Sequence, residues 1–305
     1  MRIIFMGTPE FAVASLAALL SAGKEIVAVV TAPDRPAGRG QQLRQSAVKQ
    51  YAVAHGIPVL QPEKLRHADF LAELKELKAD LQVVVAFRML PEVVWNMPSR
   101  GTVNLHASLL PQYRGAAPIN HAIINGEVES GVTTFLLQHE IDTGNILFSQ
   151  PVAIGPEDTA GDLHDRLMTV GASLLVRTVE AIGNGTVTPV PQEQLGGSSD
   201  LKHAPKIFKD DCLIDWNKPV TDVHNLIRGL CPYPTAFTVL DGKTLKIFEA
   251  TKVEAVPQHG AGTPYTDGKS FLQFACSDGY IAVRTLQLEG KRRMDIIEFL
   301  KGYRF

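Results

Sequence analysis

Apolar positions in the first two-thirds of the chain come in two textures. Arg2–Met6, Glu25–Thr31, Leu81–Ala86 and Thr102–His106 are short and almost continuously hydrophobic, the pattern of strands covered on both faces. Helical stretches lie between and after them. Phe11 to Leu20 ends near Gly23, Ser46 can cap a helix that runs to Gly56, and Pro118 opens one that stops at Gly126. Thr159 caps a longer helix with Leu163, Leu167, Val170 and Leu174 on one stripe. Gly131–Leu137 and Asn145–Ile154 read as a strand pair around a turn at Asp142. This alternation predicts an α/β domain with a mostly parallel sheet.

After Gly183 the texture changes. Gly185 to Lys206 is polar and rich in Pro, Gly and Ser, and reads as a linker. Beyond it lie short alternating runs: Ala236–Leu240, Thr244–Ala250, Phe271–Ala275 and Tyr280–Leu286. Asp241-Gly242 and Asp278-Gly279 punctuate them as hairpin turns. Asp295–Leu300 is helical. A small β-barrel with one or two helices is expected. The division is therefore 1–188 for the first domain, 189–206 for the linker and 207–305 for the second domain.

Composition adds limits. The chain has 305 residues, 45% hydrophobic and 20% charged, which suits a folded soluble protein of two domains. No apolar run reaches the roughly 18 residues of a membrane span, and the first residues are too short an apolar segment for a signal peptide. Three cysteines, Cys212, Cys231 and Cys276, have no metal-type spacing and read as reduced thiols of a cytoplasmic protein. Net charge is −2, unevenly spread. From Lys206 onward there are 14 basic and 12 acidic residues; before it, 16 and 20. A mildly basic second part is compatible with a polyanionic partner.

The chemistry concentrates where the strand Thr102–His106 ends. On a strand, Asn104 and His106 share one face, two residues apart. A Pro- and Gly-bearing loop follows at once, and open α/β sheets place their sites at such strand ends. Asp142-Thr143-Gly144 offers a carboxylate in a tight turn. A carboxamide and an imidazole can donate to a developing oxyanion, and a carboxylate beside a histidine fixes its tautomer and favours the imidazolium. No Ser or Cys nucleophile is evident. On residue types alone, Asn104 and His106 could equally make ordinary structural hydrogen bonds. Gly7-Thr8-Pro9 lacks the G-x-G-x-x-G spacing of a dinucleotide turn. Pro33–Gly40 is a loop whose Arg35 and Arg39 could reach a phosphate backbone, and Lys291-Arg292-Arg293 could do the same; both could equally be solvated surface.

These residues resemble the methionyl-tRNA formyltransferase family. Asn104/His106, Ser108–Ile119 and Asp142–Gly144 match its Asn-x-His, its Ser-Leu-Leu-Pro loop with the following Arg-Gly-Ala-Ala-Pro-Ile, and its Asp-Thr-Gly. Gly7–Ala12, Pro33–Gly40, Ile214-Asp215-Trp216, Ile227–Leu230 and Pro232-Tyr233-Pro234 match as well, so the likeness spans essentially the whole chain. The resemblance implies a Rossmann-like first domain, an OB-like second one, and formyl transfer from 10-formyltetrahydrofolate to initiator methionyl-tRNA for translation initiation. It implies Asn104, His106 and Asp142 as the catalytic residues. Folate would lie along Phe87, Arg88, Met89 and Leu90 and along Ser108, Leu109, Leu110 and Pro111. The tRNA would meet Arg35, Arg39, Lys206, Lys291, Arg292 and Arg293. No metal and no membrane are implied, and a monomer is expected. Two stretches depart from the family's pattern. Phe87-Arg88-Met89 stands where Tyr-Gly is frequent, and Asn145 stands where an acidic residue is common.

Glycinamide ribonucleotide formyltransferases, amino-sugar nucleotide formyltransferases and formyltetrahydrofolate hydrolases resemble the same Asn/His/Asp set, with other acceptors for the formyl group. Pro36–Gly40 argues for tRNA. A non-catalytic RNA-binding protein on the same scaffold would not need Asn104, His106 and Asp142 intact.

Overall fold

A computed structural model describes residues 1–37, 42–195 and 201–305. The chain forms two compact units. The first comprises Met1–Gly115, Ser130–Val152 and His164–His203; the second comprises Ala116–Glu129, Ala153–Leu163 and Ala204–Phe305.

The first unit is built on a seven-stranded sheet. Its order is Ile146–Ala153, Glu129–Leu136, Thr102–His106, Leu81–Val85, Arg2–Gly7, Glu25–Val30 and Val59–Leu60. The five strands from Thr102–His106 to Val59–Leu60 run parallel, and Glu129–Leu136 joins antiparallel. Leu81–Val85 is buried at every position, as its unbroken apolar run requires. Sequential strands flank Arg2–Gly7 on one side while Leu81–Val85 lies on the other, so the strand order reverses there. Gly7 sits at this point. A Cβ there would stand 2.6 Å from the Ala12 Cβ and 3.0 Å from the Val85 carbonyl, so helix Glu10–Ser21 packs too closely for any side chain.

The helices that open at Ala47 and Ala160 carry side-chain caps. The Ser46 hydroxyl accepts from the Lys49 N–H at 3.0 Å, opening Ala47–Ala54. Thr159 and Asp162 exchange bonds at the head of Ala160–Asn184: the Asp162 N–H donates to the Thr159 hydroxyl, and the Thr159 N–H to the Asp162 carboxylate. Pro33–Gly40, expected as a loop, instead supplies a strand. Arg35–Ala37 pairs antiparallel with Gln42–Arg44, Arg35 opposite Arg44. Gly38, Arg39 and Gly40 lie outside the described residues. The stretch 189–206, read as a linker, also carries structure: Val190 bridges Ile146 and Gln192 is buried.

The second unit holds a curled antiparallel sheet, OB-like, in the order Ala236–Leu240, Lys243–Val253, Tyr280–Leu288, Leu272–Ala275 and Pro264–Thr266. Met294–Asp295 pairs with Tyr280–Leu288 off this path. Leu240 lies opposite Lys243, so Asp241-Gly242 closes a two-residue hairpin, with φ of 48° and 74°. Its core stacks Trp216 on Phe274 at 4.8 Å, beside Leu245, Ile247, Ile281 and Leu286. Helix Pro118–Ile124 packs on Val220–Gly229, and the Asn120 amide donates to the Gly229 carbonyl at 2.7 Å. A Cβ on Gly229 would sit 2.5 Å from the Ile124 side chain. The chain therefore contributes helix Pro118–Ile124, from its first half, to the C-terminal unit.

Candidate active site

The strand Thr102–His106 is fixed by ladders on both edges. Asn104 faces Val84 on the parallel side and Phe135 on the antiparallel side; His106 faces Thr133. Leu105 points the other way, its Cδ atoms at 3.0–3.5 Å from the Cβ position of Gly171. Asn104 is partly exposed, and its carboxamide makes no hydrogen bond among the described residues. His106 is buried. Its Nε2 lies 2.9 Å from the Tyr113 carbonyl, which can only accept, so Nε2 carries the hydrogen. Nδ1 faces Asp142, 4.0 Å from Oδ2. That is beyond a hydrogen bond but close enough for the charge to be felt.

Asp142 is placed differently. Its φ is +56°, in the left-handed region that costs a residue other than Gly about 1 kcal/mol or more. Several bonds hold it there. The Gly115 N–H donates to Asp142 Oδ2 at 3.0 Å. The buried Gln192 amide donates to the Asp142 carbonyl and to the Gly144 carbonyl, each at 2.8 Å. Arg114 in turn donates through Nε and Nη2 to Gln192 Oε1, at 3.0 and 2.6 Å. Gly144 is obligatory, because a Cβ would fall 1.6 Å from the Leu136 carbonyl oxygen.

The loop after His106 is pinned from within. The Ser108 hydroxyl donates to the Gln112 carbonyl at 2.7 Å. Thr133 Oγ1 donates to the Ser108 carbonyl at 2.7 Å and receives the Leu110 N–H at 3.2 Å. Leu110 packs with Phe135 and Ile146. The Ser108 hydroxyl and the Leu110 side chain thus serve the loop's own packing. Leu109 and Pro111 are partly exposed.

Phe87–Leu90 follows the strand Leu81–Val85, at the carboxyl end where the strand order reverses, the place where such sheets hold ligands. Phe87 is half-buried and Leu90 buried, while Met89 is 72% exposed. Arg88 donates to the backbone carbonyls of Glu63, at 2.9 Å, and Pro62. Its Nε is buried without a partner, and its guanidinium lies 5.5 Å from the Phe87 ring centre. Burial, and then the charge of Arg35, push its pKa below the usual arginine value. The side chain that departs from the family's pattern therefore ties this loop to 62–63.

The full-length comparisons decide between the acceptors' families. The Formyl transferase family model matches residues 1–179, and the model of its C-terminal domain matches 206–304. The chain is 53% identical, over 100% of its length and 96% of the relative's, to the methionyl-tRNA formyltransferase of Bacteroides thetaiotaomicron. It is 55% identical to that of Parabacteroides distasonis, with the same coverage. The chain belongs to the methionyl-tRNA formyltransferase family. Among solved structures, an N-formyltransferase from Helicobacter canadensis in complex with folinic acid and dTDP-3-aminofucose is similar at a TM-score of 0.70 and 22% identity, over 96% of this chain and 100% of that one. HypX from Aquifex aeolicus, in complex with tetrahydrofolic acid, is similar at 0.66 and 19%, over 99% of this chain and 48% of that one. At those identities the likeness is one of fold.

In this member of the family, the structure brings His106 and Asp142 together on the first unit, with Asn104 on the strand face it shares with His106. The expected tRNA contacts are more scattered. Arg35 lies on the hairpin and is exposed; Arg39 lies outside the described residues. Lys206 lies over the Phe208 ring, 5.3 Å from its centre. Arg293 lies over Phe248 at 4.3 Å, Arg292 pairs with Glu298, and Lys291 is exposed. Thr133 and Gln192 escaped the sequence reading, and Tyr113, Arg114 and Gly115 stood within the Ser108–Ile119 motif without an assigned role. Thr133 and Thr134 side by side in an otherwise apolar run were the available sign for Thr133. Among the described residues no cluster of His, Cys, Asp and Glu could hold a metal, and no helix is long and apolar enough to cross a membrane.

Proposed function

We propose that this chain transfers the formyl group of 10-formyltetrahydrofolate to the amino group of initiator methionyl-tRNA, in the cytoplasm and as a monomer. The observation that carries the chemistry is the Asn104 carboxamide, without a hydrogen-bond partner among the described residues, beside a His106 whose Nε2–H is already committed. Asn104 donates to the formyl oxygen as it becomes negative. With its hydrogen on Nε2, neutral His106 presents the Nδ1 lone pair on the Asp142 side, ready to take the proton the amine loses on adding to the formyl carbon. The Asp142 carboxylate then faces the charged ring, and Nδ1–H can support the oxyanion or return the proton to the departing N10.

The pterin would lie along Phe87–Leu90, where the strand order reverses, with the backbone of Ser108–Pro111 and the side chains of Leu109 and Pro111 beside it. The domain 207–305, mildly basic, with Arg35, Arg39, Lys206, Lys291, Arg292 and Arg293, would grip the acceptor arm through phosphates. Full-length identity of 53–55% to methionyl-tRNA formyltransferases, against 22% to an amino-sugar enzyme, supports tRNA as the acceptor.

The test offers 10-formyltetrahydrofolate with charged initiator tRNA, glycinamide ribonucleotide and an amino-sugar nucleotide in parallel. Formylation of the charged tRNA alone is expected. Preferential formylation of either small molecule would overturn the reading.

A further inference from the structure

We infer that Gln192 is a positioning residue for the transfer reaction, setting the Asp142 carboxylate opposite His106. This rests on the proposed role of Asp142. Gln192 lies in the polar stretch between the two family-model matches, where nothing in its neighbours' composition announces a role. Yet it is 97% buried, and all the hydrogen bonds found for its side chain reach two segments of the site. Its NH2 group spends both hydrogens on the carbonyls of Asp142 and Gly144, the two ends of the Asp-Thr-Gly turn. Its oxygen takes two bonds from Arg114, the residue before Gly115, whose N–H binds the Asp142 carboxylate. The neighbouring Val190–Ile146 bridge brings the segment to this turn.

The arrangement has a physical purpose. Asp142 sits at φ +56°, a conformation that the surroundings must enforce. Two carbonyls converging on one amide do so only while a double donor stands between them. A glutamate in the same place keeps the shape and the Arg114 contact but offers no donor, and turns a negative oxygen toward both carbonyls. Gln192→Glu is therefore a near-isosteric test of the donor face, and Gln192→Ala tests loss of the whole fastener.

Steady-state formylation of methionyl-tRNA by Gln192→Glu, Gln192→Ala, Asp142→Asn and the Gln192→Glu/Asp142→Asn double variant tests the inference, with thermal melting of each. Gln192→Glu should lower kcat about 10- to 100-fold with KM for both substrates nearly unchanged, the loss expected of a misplaced catalytic group. Its acid-side pH–rate limb should shift, and the double variant should be no slower than Asp142→Asn alone. Wild-type kcat in Gln192→Glu, or additive losses in the double variant, would overturn the positioning role. Full activity in Asp142→Asn would instead overturn the reading of Asp142 itself. Should Gln192→Ala fail to fold, Gln192→Glu decides alone.

Discussion

Two halves of one site are held by different means. Asn104 and His106 ride on a laddered strand, Asn104 paired on both edges and His106 on the antiparallel edge, with the His106 ring held in addition by the Tyr113 carbonyl. Asp142 stands on a left-handed turn kept in place by Gln192, Arg114, the Gly115 N–H and a glycine that no other residue can replace. The first half resists changes to its neighbours, because a strand's register is a collective property. The second depends on a few local bonds. Precision at the acid end of this site is thus supplied by polar side chains remote in sequence.

Substitutions can break that contrast in order of effect. Leu105→Ala removes a side chain packed under Gly171 on the far face of the catalytic strand. It should cost about 3 kcal/mol of stability, as large-to-small core changes do, while kcat at a permissive temperature stays within a few-fold of wild type. Denaturant unfolding and turnover measured together check this; a collapse of kcat would show that the strand half is as fragile as the turn. Gly144→Ala should cost at least as much stability, because a Cβ 1.6 Å from the Leu136 carbonyl oxygen forces backbone to move, and more activity, because the turn that carries Asp142 must shift.

The sequence showed the strand half and hid the turn's supports for the same reason. Asn104 and His106 stand at a period of two at the end of an apolar run, so pattern and chemistry coincide. Asp142-Thr143-Gly144 advertises a turn by residue type. Gln192 follows a proline in a stretch with no periodicity, and its partners are 78 and about 50 residues away, so nothing local encodes the contact. Pro33–Gly40 read as a loop because its arginines and prolines mask a three-residue pairing with Gln42–Arg44. The parallel sheet, the long helix capped at Thr159 and the Asp241-Gly242 hairpin all follow directly from texture. Helix Val220–Gly229, with its charged and polar residues buried, does not.

A smaller effect separates the second unit from the first. Within it His224 is buried, bonded through Nε2 to the Ala250 carbonyl, with Glu157 at 3.5 Å. Burial lowers its pKa below 6.5, partly opposed by Glu157. The folded state then binds fewer protons than the unfolded one, so this contribution is complete above about pH 6.5 and fades as the pH falls through the folded value. Urea unfolding between pH 7.5 and 5 should show a decline that His224→Gln flattens; an unchanged slope in that variant would remove His224 from the account.

The weakest expected effect is on tRNA affinity. Replacing Arg293, stacked on Phe248, or the exposed Lys291 should each reduce the salt slope of tRNA binding by about 1 and leave kcat at saturating tRNA unchanged. Filter binding across a salt series reads it directly, and a slope unaffected by both changes would take this edge out of the tRNA interface.

Single-turnover formyl transfer to methionyl-tRNA by preformed complexes of the wild type, Asn104→Ala and His106→Ala probes the site most directly. The account predicts that the chemical step falls about 100-fold or more in each variant, while folate and tRNA affinities stay close to wild type. Equal single-turnover rates in all three proteins would contradict it.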